Sequence, residues 1–179
     1  MTFRRSGSLK GQGTRREGEM PKITTFLTFN DRAEEAVEFY TSVFEGGKIT
    51  GTTRYGEAGP GTPGSLMTAS FQLDGREFIA LNGGPSFTFS QGISLVVSCE
   101  SQDEVDHYWE RLSEGGEQGP CGWLTDKFGV SWQVVPRVLG EMMSDPDPEK
   151  AGRVMQAMLQ MHKIEIDELQ KAYDGVAVT

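Results

Sequence analysis

Four side chains of this sequence have the nucleophilic or metal-binding chemistry that active sites most often use: Cys99, Cys121, His107 and His162. Cys99 ends an alternating apolar run and shares its core-facing side, which favours a packed, inert thiol over a nucleophile. Cys121 lies in a Gly-Pro-Cys-Gly-Trp segment that we expect to be exposed near a pocket rim, but the sequence places no base beside it. Neither thiol therefore predicts a catalytic residue.

The two histidines and the nearby carboxylates give no stronger signal. His107 lies inside a predicted helix and is expected to face solvent. His162 lies near the end of a Met-rich helix, where the helix dipole favours an imidazolium, and it would reach a pocket only if that segment folded over it. Glu77 and Asp126 are interpreted as charges that flank turns. The catalytic residues, if there are any, stay unassigned.

The bulk composition excludes several classes of partner. The chain has 179 residues, enough for one domain with tails, and a formal net charge of -9. That charge argues against nucleic acid, whose phosphates require clustered Lys and Arg. No apolar run approaches the roughly 20 residues that span a bilayer. Two cysteines without disulfide or CxxC spacing suggest the reducing cytoplasm.

The elements that must position any site occur twice along the chain. Residues 22–29 predict a strand, Asp31 and Glu34 a capping-box start of a helix, and Gly46-Gly47 its end. Strands are predicted over 48–55, 65–73 and 77–82, with an Asp74-Gly75 hairpin turn between the last two.

About 70 residues later the same order returns, which indicates an internal duplication. Residues 93–99 predict a strand, Ser101 and Glu104 a second capping box, and Gly115-Gly116 a second helix end. Strands follow over 119–124 and 130–135, so the second copy is shorter and is expected to lack or merge one strand.

The sequence divides into three regions. Residues 1–19 are basic and rich in Gly, Ser and Arg, and predict a disordered extension without the apolar region of a secretory signal. Residues 20–136 hold the duplicated domain. Residues 137–179 predict a helical tail, in which Asp147 caps a helix that starts at Pro148. Its apolar faces must dock on the sheet or on a second subunit.

The repeated order, the Phe39-Tyr40 pair of the first helix and the run from Trp123 to Pro136 resemble the vicinal-oxygen-chelate superfamily, which includes glyoxalases and bleomycin-resistance proteins. The run over 123–136, followed by a Met-rich helix, is similar to the PhnB-like branch, often labelled demethylubiquinone methyltransferase-like. The resemblance implies an α+β fold, in which two βαβββ modules form a curved mixed sheet around a pocket. It also implies a small-molecule ligand and a homodimer.

Alternation divides each predicted strand into a core face and a face that could line this pocket. The predicted pocket face combines small polar side chains with a few large apolar ones, as a ligand cavity does, although a subunit interface or a solvated face would show the same alternation. The residues assigned to it are Thr24, Phe26, Thr28, Ser70, Phe78, Asn82, Ser94, Val96, Trp123 and Gln133. Trp123 is the one most expected to stack on a ligand, with a core position as the alternative.

In the superfamily's metalloenzymes, His or Glu side chains on the first and last strands of each module hold one divalent ion. The resemblance carries these positions to Thr24, Asn82, Ser94 and Gln133. None of the four is anionic or an imidazole, so none offsets the cost of dehydrating a divalent cation. No metal is therefore expected. Asn82-Gly83-Gly84 opens no helix, so no nucleoside cofactor is expected either.

These expectations favour a metal-free small-molecule-binding protein that forms a homodimer. One alternative is a PhnB-like lyase, isomerase or transferase acting on a small metabolite. Another is an interaction module whose concave face is filled by its own tail.

Overall fold

The computed structural model describes residues 23–176, so the predicted extension over 1–19 lies outside the described residues. Two modules of the order βαβββ and a helical tail make up this part of the chain, which confirms the α+β prediction. Module 1 consists of β1 (Thr25–Phe29), α1 (Ala33–Val43), β2 (Lys48–Arg54), β3 (Leu66–Leu73) and β4 (Arg76–Asn82). Module 2 consists of β5 (Leu95–Cys99), α2 (Gln102–Ser113), β6 (Glu117–Gln118), β7 (Trp123–Thr125) and β8 (Ser131–Pro136). The tail contains α3 (Arg137–Met143), α4 (Pro148–Met158) and α5 (Ile166–Asp174).

Each module forms its own four-stranded mixed sheet with the same topology. The orders are β1-β4-β3-β2 and β5-β8-β7-β6, and in both sheets the first strand pairs in parallel with the last. Module 2 keeps all three strands after its helix, but β6 has only two residues. The second copy is therefore shorter because this strand is shortened, not because it is missing.

The two module helices begin in different ways. At α2 the Ser101 hydroxyl accepts the backbone N–H of Glu104, as the capping box predicts. At α1 no side chain caps the helix locally, so the predicted capping box is wrong there. The amide oxygen of Asn82, at the end of β4, accepts the Ala33 N–H at 2.8 Å instead. A strand residue 49 positions away therefore supplies the cap.

Both sheets turn one face toward a single shared core. The ring of Tyr40 on α1 lies between them, with its centroid 6.4 Å from that of Phe71 on β3 and 5.5 Å from that of Trp132 on β8. The buried residues of both sheets and both helices belong to this one cluster. The opposite face of each sheet, which we call its outer face, is consequently directed away from the core.

Asp126, predicted only to flank a turn, is buried and connects the two modules by hydrogen bonds. It is 3% exposed, and its carboxylate accepts hydrogen bonds from the Tyr40 hydroxyl and from the indole N–H of Trp132. The backbone N–H groups of Phe128 and Val130 donate to its other oxygen. Burial, reinforced by this carboxylate, raises the pKa of Tyr40 well above its usual range.

The tail docks on module 2 and has a small apolar core of its own around Val154, Ile164 and Leu169. Gln102 of α2 bonds the backbone on both sides of Glu165, and Lys163 forms an ion pair with Asp106 at 2.5 Å. Where the tail crosses the β7 end of the sheet, Met161 and His162 accept backbone hydrogen bonds from Cys121 and Gly122. The tail contacts the outer face of the module 2 sheet through Val135.

The helices found within residues 23–176 are all too short or too polar to cross a membrane.

Candidate functional site

The outer face of the module 2 sheet carries four of the predicted pocket residues: Ser94, Val96, Trp123 and Gln133. Register places Val96 opposite Gln133, and Gln133 opposite Trp123, so these three side chains share one face. Val96 is 57% exposed, while Gln133 and Trp123 are half-buried. The side-chain amide of Gln133 donates to the Ser94 hydroxyl at 2.8 Å. Ser94 and Gln133 are therefore adjacent, in a pair that holds the Gln133 side chain in place.

The outer face of the module 1 sheet combines large apolar side chains with hydroxyls. Phe26, 52% exposed, lies opposite Ile79, and Thr28 lies opposite Leu81. Ser70 of β3 pairs with Ile79 on the same face. Thr24, which just precedes β1, is half-buried.

Two predicted pocket residues, Phe78 and Asn82, are not on the outer face. Phe78 is 7% exposed and its ring stacks on that of Phe71 in the core. The reason is the two-residue Asp74-Gly75 turn, which pairs Leu73 with Arg76 and so puts Phe78 opposite the core residue Phe71. The alternation assigned to β4 was therefore wrong by one residue.

Asn82 follows from the same correction, because it lies opposite the buried Phe29 and turns inward. Its amide nitrogen donates to the Leu66 carbonyl at 3.0 Å, and its amide oxygen caps α1. Both ends of this side chain are thus used to hold module 1 together.

Superposing the two registers corrects the position expected of a metal ligand on β4. In module 2, Gln133 pairs with Val96 on β5; the equivalent pairing in module 1 is Ile79 with Phe26 on β1. The four positions are therefore Thr24, Ile79, Ser94 and Gln133. Two hydroxyls, one amide and one hydrocarbon do not fit a divalent cation. Among residues 23–176, no group of three or more His, Cys, Asp or Glu side chains has the spacing to hold a metal ion.

Three hollows border these faces, and five of the ten predicted residues line them. Trp123 lines a cavity of about 410 Å³ on module 2, together with Thr125 and Ser131. Thr28 lines one of about 330 Å³ between the modules. Phe78, Ser94 and Val96 line a cleft of about 700 Å³ next to the edge strands β1 and β5. No one of these three hollows brings all the predicted residues together.

Ser131 is the residue of this face whose importance the sequence does not show. It is 4% exposed, and its hydroxyl is the one buried side-chain polar atom in the described part of the chain with no hydrogen-bond partner. Strand alternation places Ser131 on the pocket side, but nothing local in the sequence indicates that its hydroxyl is buried without a partner.

The histidines and cysteines lie away from a common centre. His107 is exposed and its Nε2 lies 3.1 Å from the Val43 carbonyl, and His162 is exposed on the tail. Burial, followed by the charge of Glu104, raises the pKa of the Cys99 thiol to about 12. The Cys121 thiol donates to the Met158 carbonyl at 3.6 Å. Both cysteines are free thiols.

Comparison with known proteins identifies relatives of the two-module part of the chain. A family model described as 3-demethylubiquinone-9 3-methyltransferase matches residues 21–135. A Bacillus cereus PhnB protein, described as a candidate 3-demethylubiquinone-9 3-methyltransferase, is 41% identical over 65% of this chain and 99% of its own, with a TM-score of 0.60. A Pseudomonas aeruginosa protein is 23% identical over 65% of this chain and 97% of its own, with a TM-score of 0.55. No curated protein matches the sequence.

Proposed function

Because the chain belongs to the 3-demethylubiquinone-9 3-methyltransferase family, the PhnB-like branch of the vicinal-oxygen-chelate superfamily, we propose that it is a small-molecule-binding protein that works as a homodimer. Its ligand lies against the outer face of module 2, and the outer face of module 1 from a second copy closes the site. The free thiols agree with a protein of the reducing cytoplasm.

The observation that carries this proposal is the direction of the two outer faces. Since Tyr40 and the shared core lie against one face of each sheet, both outer faces are left outside this core. Each face leaves a large apolar side chain about half exposed, Phe26 on module 1 and Val96 on module 2. Covering both removes apolar surface from water, and a twofold dimer does this twice with the same pair of surfaces.

Module 2 offers the ligand contacts. Trp123 provides an aromatic surface, and the Gln133 amide, held by Ser94, keeps a second N–H and its carbonyl oxygen for hydrogen bonding. On this face Val135 packs against the apolar cluster of the tail and Trp123 does not, which supports a ligand position at Trp123.

A thermal-shift screen of metabolites and antibiotics tests the binding function. We expect at least one compound to raise the melting temperature and Trp123→Ala to weaken its binding by about tenfold, since aromatic contacts often dominate such sites. Met155→Ala, an exposed substitution on the tail, is the matched control. A compound that binds Trp123→Ala as tightly as the wild type contradicts a ligand position on module 2.

Elemental analysis and a turnover assay on the same compound separate binding from catalysis. A neutral donor set predicts no stoichiometric divalent metal in the purified protein. A bound metal at one per chain contradicts the metal-free site. Conversion of the compound by the wild type favours a PhnB-like lyase, isomerase or transferase instead.

Sedimentation equilibrium tests the dimer. The chain has a mass of 19.7 kDa, and we expect the wild type to have twice that mass. Val96→Glu and Phe26→Glu each place a charge in the proposed contact and should shift the protein toward the monomer. Ile49→Glu, at a residue 46% exposed outside that contact, is the control. A wild-type protein with the mass of a monomer contradicts the proposed homodimer.

A further inference from the structure

The cavity of about 410 Å³ on module 2 contains a feature that the fold does not explain. It lies between β6, β7 and β8, and its lining includes Gln91, Glu117, Trp123, Thr125 and Ser131. Thr125 and Ser131 are opposite each other on neighbouring strands, on the side of the sheet that also carries Trp123. The cavity thus forms one end of the outer face of module 2.

Ser131 lines this cavity with a hydroxyl that has no partner. A buried polar group without a hydrogen bond has lost its contact with water and gained nothing in return, so such groups are rare in folded proteins. The serine side chain has three staggered positions about its Cα–Cβ bond, so the hydroxyl can turn toward a ligand without movement of β8. A ligand group that donates to or accepts from this hydroxyl removes the cost.

The charges around the cavity select among ligands. Its charged lining residue is the carboxylate of Glu117, and its other polar groups are amides and hydroxyls. Lys127 lines the neighbouring hollow of about 470 Å³, but its ammonium lies 4.4 Å from the ring centroid of Phe39, on the side of α1. An anion in the cavity would meet Glu117 without a facing cation, whereas a neutral or positive group meets no repulsion.

The side chains that line the cavity favour a flat ligand. The Trp123 indole is half-buried on one side of the cavity, and a flat ring can stack against it. Stacking on Trp also favours a ligand that carries a delocalised positive charge.

We propose that this cavity binds a flat ring bearing an uncharged or cationic planar nitrogen group, such as an amide or amidinium. The ring stacks on Trp123 and the planar group shares a hydrogen bond with Ser131. This assignment rests on the proposed function, because it names the chemistry of the ligand that the outer face of module 2 takes.

Four ring compounds of nearly equal size test the assignment: benzamide, benzamidinium, benzoate and ethylbenzene. Titration of the full chain is followed in ¹H–¹⁵N spectra through the Trp123 indole N–H and the Ser131 amide. We expect benzamide and benzamidinium to shift both signals with a Kd of about millimolar, as suits ligands of so few atoms. Benzoate, repelled by Glu117, and ethylbenzene, which has no hydrogen-bonding group, should bind about tenfold more weakly or not at all.

Ser131→Ala separates the hydrogen bond from the packing. We expect it to weaken benzamide binding by roughly fivefold to tenfold, the equivalent of one hydrogen bond. The ligand-free variant should melt at the wild-type temperature or above it, since no hydrogen bond is lost. Ser42→Ala, the same substitution at an exposed position on α1, should leave benzamide binding unchanged.

Three results would overturn the assignment: benzoate binding as tightly as benzamide, Ser131→Ala binding benzamide like the wild type, or neither nitrogen compound shifting the two signals. None of them removes the proposed function if a metabolite still binds in a Trp123-dependent way. Conversely, failure of every screened metabolite together with a monomeric wild type would reject the proposed function while the titration still reports on the cavity itself.

Discussion

Module 1 and module 2 have the same topology and nearly the same register, yet they differ at the positions that matter for a ligand. Phe26 and Ile79 form the outer pair of module 1, and Val96 and Gln133 form the equivalent pair of module 2. The polar cavity with the partnerless Ser131 hydroxyl is on module 2. At this pair module 1 thus presents two hydrocarbon side chains, whereas module 2 presents an amide that can form hydrogen bonds.

The difference extends to how each module is stabilised. In module 1 a distant strand residue, Asn82, caps the helix, whereas in module 2 the local residue Ser101 does so. The helix of module 2 also forms an ion pair with the tail through Asp106. Duplicating a scaffold preserves the backbone register while freeing single side chains for new roles. Asn82, which the sequence matches to a metal ligand, is instead a helix cap, and the register gives the equivalent position to Ile79.

The largest effect is expected where the modules meet. Asp126→Ala leaves the Tyr40 hydroxyl, the Trp132 indole and two backbone N–H groups without their acceptor, and should lower the free energy of unfolding by roughly 3 to 5 kcal/mol. Urea denaturation measures this change. Tyr40→Phe removes one of these bonds and should cost about 1 to 2 kcal/mol.

A double-mutant cycle between Asp126→Asn and Tyr40→Phe shows whether the two groups act together. A coupling free energy near zero would mean that the Tyr40–Asp126 hydrogen bond does not hold the modules together.

A smaller loss of stability is expected when the caps of the two module helices are removed. Asn82→Ala breaks the bonds to Ala33 and Leu66 and should lower the free energy of unfolding by about 1 to 2 kcal/mol. Ser101→Ala removes one exposed cap and should cost about 0.5 to 1 kcal/mol. Asn82→Asp keeps the acceptor for Ala33 and should fall between the wild type and the alanine variant. If Asn82→Ala instead weakened ligand binding at unchanged stability, Asn82 would belong to the pocket after all.

The smallest effect concerns the tail. The hydrogen bond from Lys163, then that from Gln102, lowers the pKa of Asp106 below its usual value. The depressed pKa means that this pair stabilises the fold above the unfolded-state value of about 4 and loses that effect as pH falls through the folded-state value. Asp106→Asn should therefore cost less than about 1 kcal/mol at pH 7, because the pair is partly exposed.

Urea denaturation of both proteins across the acid range measures the pH dependence. The difference between the wild type and Asp106→Asn should vanish at the lowest pH. A difference that stayed constant with pH would show that the charge of Asp106 is not what holds the tail.

Most of the fold could be predicted because its signals are local and repeated. Two strand-helix-strand segments about 70 residues apart, with Gly-Gly helix ends, indicate the duplication, and Ser101 indicates its own helix start. The sequence could also have predicted which face of the sheet carries Phe78, because the two-residue Asp74-Gly75 turn fixes the register of β4.

Other features depend on contacts between distant parts of the chain. Tyr40 and Asp126 are 86 residues apart, and no local pattern indicates that a turn carboxylate becomes a buried acceptor. The hydroxyl of Ser131 is left without a partner by the way β6, β7 and the chain around Gln91 surround it. Alternation can assign a side chain to a face, but not its burial or its bonds.

The shared site between two copies is tested most directly by mixing two defective variants. Phe26→Glu damages the outer face of module 1 and Val96→Glu that of module 2, and each alone should bind little of the compound with the largest thermal shift. If module 1 of one copy closes module 2 of the other, each mixed dimer has one intact site, so random exchange of equal amounts restores about one quarter of all sites. Because both homodimers are weakened, the mixed dimer is favoured, and the restored share rises toward about one half. Isothermal titration calorimetry counts these sites after exchange. Recovery of about one quarter to one half of the sites is the predicted result; a mixture that binds no more than the separate variants would contradict a site built from two chains.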